Sequence, residues 1–148
     1  MNYTLELIVV PVSDVDRAKA FYIDNAGFEL HVDHRAGDNF RVVQLNPPGS
    51  ACSIAIGVGI SSAEPGSTKG LHLMVTDIVA ARDELVARGV EVTPIRHMGK
   101  GGWADGPHPT RNDYETFAEF TDPDGNLWLL QERDYTAFAA AAVATRLM

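Results

Sequence analysis

Residues 5–30 read LELIVVPVSDVDRAKAFYIDNAGFEL, and residues 71–92 read LHLMVTDIVAARDELVARGVEV. Each is an apolar run, a polar turn ending in Asp, an Ala-rich helical stretch, a Gly and a second alternating run. Asp14 aligns with Asp77, Ala18 with Ala81, and Gly27 with Gly89 after one dropped residue. A duplicated strand–helix–strand unit decides the architecture, because two copies can bury their sheets around a shared centre.

Outward from these stretches, the pattern extends to a full module on each side. In the first copy, residues 4–12 are predicted as a strand and Ser13 as the N-cap of a helix over 14–25. Val15, Ala18, Phe21 and Tyr22 form the inner stripe of that helix, and Asn25 and Gly27 stop it. Strands are expected over 28–34, 40–45 and 52–57, separated by turn-forming residues. In the second copy, 71–75 is a strand, Thr76 the cap, and Ile78, Ala81 and Leu85 the helix stripe. Val90–Ile95 is expected as a strand, and 116–121 with 127–131 as a hairpin around DPDGN. The polar segment SSAEPGSTKG at 61–70 separates the copies. GKGGWADGPHPTRNDY interrupts the second copy and reads as a long loop between Met98 and Glu115. The Ala-rich tail 134–148 is predicted helical. The reading is one α+β domain: module one about 3–60, linker 61–70, module two about 71–133, then the tail.

Bulk chemistry narrows the partners. The chain has 148 residues and a net charge of −8 without a Lys/Arg cluster, which argues against nucleic acid or an anionic membrane. Cys52 is the single cysteine, so no internal disulfide forms. No secretory signal or span of roughly 20 apolar residues is present. The expectation is a cytoplasmic protein. Asp122, Asp124 and Asn126 lack the distal Glu of a calcium loop and read as a tight turn. Cys52 reads as a small buried hydrophobe.

VPVSDVDRAKAFYIDNAGF, LMVTDIVAARDELVARGV and FTDPDGNLWLLQE together resemble the vicinal oxygen chelate superfamily, which includes glyoxalases, extradiol dioxygenases and bleomycin-binding resistance proteins. The resemblance covers about 3–133 and implies tandem βαβββ modules whose curved sheets form an open cleft. It also implies a homodimer. In metal-using members it places cation ligands at positions that here carry Leu7, Gly70 and Leu129, none of which has a donor side chain. A fourth ligand falls near Cys52–Ile56, where only Cys52 and Ser53 offer heteroatoms. A divalent cation needs several converging oxygen or imidazole donors, so no metal cofactor is expected.

His72 lies two residues past Gly70 and Gln131 two past Leu129, so each shares a face with a lost ligand position. Leu7, Val9, His72, Phe120, Leu129 and Gln131 are the expected lining for a small organic ligand, with Trp103 as its cover. His97, His108, Arg111 and Tyr114 are expected to cluster with Trp103 as a stacking and charged surface for a planar or aromatic ligand with an acidic group. Glu6 and Glu132 should face away from the cleft. A slip of one residue would turn them inward with His72 as a displaced Zn, Ni, Fe or Mn site serving a lyase, isomerase or dioxygenase. A third possibility uses His72 as a metal-free general base.

Overall fold

The computed structural model describes residues 1–137 and divides into two compact units, Met1–Lys69 with Thr121–Leu127, and Gly70–Phe120 with the chain from Trp128 onward. The fold is α+β. The first unit contains β1 (Leu7–Val9), α1 (Val15–Ala20), β2 (Glu29–Arg35), β3 (Arg41–Asn46) and β4 (Ser53–Val58). The strand order is β1-β4-β3-β2, with β1 and β4 parallel. The second sheet contains β5 (Lys69–Val75), β6 (Arg96–Gly99), β7 (Gly102–Asp105), β8 (Thr116–Thr121) and β9 (Leu127–Glu132), with α2 (Ile78–Ala87) after β5. Its order, β5-β9-β8-β6-β7, repeats the first sheet's and adds β7 at the edge. The duplication in the sequence is therefore a duplication of topology.

Strand alternation sorts the side chains. Along β3, Arg41, Val43 and Leu45 are buried while Val42 and Gln44 are only partly covered. Along β8 and β9, Thr116, Ala118, Phe120, Trp128, Leu130 and Glu132 are buried and the residues between them stay partly accessible. In the second sheet one face along β8 and β9 is thus core and the other is partly open, whereas in the first sheet β4 buries Ser53, Ile54, Ala55 and Ile56 on both faces. Val15, Ala18 and Tyr22 bury the inner stripe of α1 and its continuation. That continuation, Phe21–Asn25, is a wider π-helical turn that closes as Ala26 N donates to Phe21 O, and Gly27 ends it at φ 78°.

Several local expectations need correction. Asp14 and Asp77 cap the helices, not Ser13 and Thr76. The Asp14 carboxylate accepts from Arg17 N, and the Asp77 carboxylate accepts from Val79 N and Ala80 N. Ser13 is engaged elsewhere, its hydroxyl donating to Asp124 at 2.6 Å. The strand expected over Val90–Ile95 is displaced to β6. Pro94 has no N–H to give a ladder, and Arg82 takes the Val92 and Thr93 carbonyls. The long loop is partly a hairpin, β6 paired with β7 across Lys100 and Gly101. Lys69 and Gly70 belong to β5 and not to the linker. Cys52 is half-buried. Beyond Ala137, the expected tail helix lies outside the described residues. Among the described residues, no helix is long and apolar enough to cross a membrane.

Beside α1, Arg41 clamps two carboxylates. It reaches Asp33 through Nε at 3.1 Å and Nη2 at 3.0 Å, and Asp16 through Nη1 at 2.8 Å. Lys19 adds a bond to Asp33 at 2.8 Å. Arg41 and then Lys19 hold the Asp33 carboxyl well below its ordinary value of 3.8. A depressed folded value means the stabilisation is whole above pH 3.8 and drains away as pH falls below it. Asp33→Asn should therefore cost roughly 1 kcal/mol near neutrality after solvent screening. Its urea midpoint should also fall less than the wild type's on acidification. Parallel pH curves for the two proteins would refute the clamp.

Candidate functional site

The open face of the second sheet carries a continuous row of aromatic and polar side chains. Arg96 pairs with Phe117 and with Asp105, and Met98 pairs with Trp103, so Arg96, Phe117, Met98 and Trp103 share that face. The Trp103 ring meets Phe117 edge-on at 5.4 Å between centroids. The Arg96 guanidinium lies 4.2 Å over the indole and is itself held by Glu119 at 2.8 Å. On the other flank of Phe117, the His72 ring stands at 6.5 Å, nearly perpendicular. His72 Nδ1 is 2.8 Å from Gln131 Oε1, and Gln131 Nε2 donates to the Tyr114 carbonyl at 3.0 Å. Trp103 is 51% exposed although one side of its ring is covered, and its strand partner Met98 is exposed as well. A half-exposed indole in a row of rings is costly to leave in water.

Four of the expected lining residues, His72, Trp103, Leu129 and Gln131, lie on this face. Phe120 does not. It is 2% exposed on the core face, stacked on Trp128 at 6.1 Å. Its parity with Thr116 and Ala118 is what turns it inward, and Phe117 takes the place expected of it. Leu7 and Val9 lie in the first unit. They pair with Ser53 and Ala55 of β4, both buried, and Ser53 Oγ donates to Asn46 Oδ1 at 2.8 Å.

The structure divides the expected loop cluster, keeping His97 and His108 in edge-on contact at 5.6 Å between ring centroids. His97 is buried on the core side with Nδ1 2.8 Å from the Gly106 carbonyl. His108 ties its own loop, accepting from Thr110 N at Nδ1 and reaching Glu115 with Nε2 at 3.0 Å. Arg111 forms a bidentate pair with Glu132 at 2.7 and 2.6 Å and lies over the Tyr135 ring. The Glu132 bond raises the Arg111 pKa above its ordinary value. Tyr114 is half-exposed beside Arg133. Of the cluster, only Trp103 remains on the open face.

The displaced cation trio is not brought together. Glu132 is wholly buried on the face of β9 opposite Gln131, where it accepts from Arg111 and from Ile78 N. Glu6 is exposed ahead of β1, its carbonyl accepting from Ser53 N. Leu7, Gly70 and Leu129 carry no donor atoms, so the residues present do not fit a divalent cation at those positions. Phe117, Arg96, Glu119 and Met98 were missed by sequence reasoning. The alternation in TFAEFT was the signal for Phe117 and Glu119, but a Phe on each phase left the phase undecided, and Arg96 and Met98 lie on β6, where no strand was expected beyond Ile95.

Residues 4–130 match the model of the Glyoxalase/Bleomycin resistance protein/Dioxygenase superfamily. The chain belongs to this superfamily. TnmS3, an antibiotic binding protein from Streptomyces sp. CB03234, is 34% identical with a TM-score of 0.68, the match covering 88% of this chain and 96% of that one. A glyoxalase/bleomycin resistance protein from the same strain is 35% identical with a TM-score of 0.66, covering 87% and 100%. A superfamily member from Sphaerobacter thermophilus DSM 20745 is 30% identical with a TM-score of 0.69, covering 89% and 98%. The glyoxalase superfamily hosts catalysts and binders on one scaffold, so the side chains on the open face decide between them.

Proposed function

We propose that the protein binds a planar aromatic small molecule on the open face of its second sheet, without a metal ion in the binding step. The observation that carries this reading is the row Arg96–Trp103–Phe117–His72–Gln131. It offers one open indole face, edge-on rings and polar groups at both ends. Stacking on such rings needs no reaction, only affinity. The similarity to TnmS3 supports the same class of role. The reading includes a cytoplasmic homodimer, whose mass sedimentation would measure.

Two tryptophans give two indole N–H resonances, and Trp128 is buried. Titration with planar aromatics should shift the Trp103 signal and leave that of Trp128 in place. Trp103→Ala should weaken binding about tenfold, the scale of one lost ring contact. Elemental analysis of protein purified without chelator provides the opposing outcome. Near-stoichiometric Zn, Ni, Fe or Mn that is lost on His72→Ala would reject this reading.

A further inference from the structure

His72 has a fixed hydrogen-bonding sense. A backbone carbonyl only accepts, so the end of Gln131 that meets Tyr114 O at 3.0 Å is its NH2. The Gln131 oxygen therefore faces His72 Nδ1 at 2.8 Å, and an amide oxygen also only accepts. The proton of the neutral ring must then sit on Nδ1, which leaves Nε2 as a bare lone pair. The arrangement is anchored at its far end. Tyr114 N donates to Glu132 O at 2.8 Å, and Tyr114 adopts φ 67°, a conformation that a bulky residue holds only under constraint. Among the described residues no group bonds Nε2, and His72 is exposed beside Phe117.

We propose that His72 selects aromatic ligands that carry a hydrogen-bond donor on the ring, a phenolic hydroxyl above all. The inference rests on the reading of this face as an aromatic-binding surface. A ring seated against Phe117 and Trp103 places its edge beside His72. There a hydroxyl or ring N–H completes a bond to Nε2, whereas an ether, carbonyl or carboxylate oxygen meets a lone pair. Gln131 and Tyr114 are positioning residues. Their bonds fix which ring nitrogen of His72 keeps its proton.

The test pairs two probes of one shape, 2-naphthol and 2-methoxynaphthalene, titrated calorimetrically against the whole protein. The wild type should bind 2-naphthol about tenfold more tightly, the scale of one ligand hydrogen bond. His72→Phe keeps a ring against Phe117 but has no acceptor. It should abolish the preference, so that 2-naphthol and 2-methoxynaphthalene bind equally. Gln131→Leu should lose part of the preference by freeing the tautomer. Indole against 1-methylindole separates N–H donors from hydroxyls. Equal affinities in the wild type, an unchanged preference in His72→Phe, or stronger binding of 2-naphthoate than of 2-naphthol would each overturn the donor rule while the aromatic face stands. The aromatic reading itself fails if neither naphthalene probe binds, or if Trp103→Ala leaves both affinities intact.

Discussion

Arg111→Met should destabilise the protein by about 3–5 kcal/mol, the cost of leaving a buried charge without its partner. Glu132 has no solvent exposure, and Arg111 meets both of its oxygens. One of those oxygens also accepts from Ile78 N at the start of α2. The carboxylate thus fastens the helix to β9, and the guanidinium is what allows a charge to reside there. Adding Glu132→Gln to Arg111→Met should recover part of the loss, because a neutral amide oxygen still accepts from Ile78 N. Urea unfolding of the three proteins decides it. A loss below about 1 kcal/mol in Arg111→Met, typical of an exposed pair, would show that the pair is not what holds Glu132.

The same pair shows where sequence reasoning stopped. Two modules were legible because apolar periodicity and the Asp and Gly punctuation repeat at fixed offsets, and topology follows from that repeat. The core phase of β9 was legible as well, and it correctly sent Glu132 away from the open face. Arg111 was not, because its partner is distant in sequence and its backbone, at φ 50°, follows no periodic pattern. It was expected at a ligand and instead neutralises a buried carboxylate. Phe120 failed for a different reason. In TFAEFT both strand phases carry a phenylalanine, so hydrophobicity alone leaves the register free, and only Thr116 and Ala118 packing inward resolves it. His72 and Gln131 were placed together correctly because a two-residue offset from lost ligand positions preserves the face. Their hydrogen bond to the loop through Tyr114 needed coordinates. Arg82, which holds the chain around Pro94 and displaces the expected strand, is the same kind of long-range side-chain contact.

Asp122→Ala is expected to be as damaging as the loss of Arg111, at about 3–5 kcal/mol, because one carboxylate serves four donors in a buried turn. Its Oδ2 accepts from the Tyr22 hydroxyl and from Asn126 Nδ2, both at 2.8 Å, and its Oδ1 from the amides of Asp124 and Asn126. Asn126, itself wholly buried, passes the constraint on by donating to the Pro11 carbonyl and accepting from Thr68 N. The DPDGN segment is therefore a hub that fixes the chain near α1, and its oxygens are turned toward protein donors and not toward a cation. Asp122→Asn should cost less than alanine, since its oxygen still accepts from the two backbone amides and its NH2 can donate to the Tyr22 hydroxyl, leaving only Asn126 Nδ2 opposed by a donor. Tyr22→Phe removes one donor and strands nothing charged, so about 1 kcal/mol is expected. Millimolar calcium should leave the melting temperature of the wild type where it is. If Tyr22→Phe, which keeps the ring's packing, proved as costly as Asp122→Ala, the single phenol bond would carry the stability and the four-donor carboxylate would not be the hub.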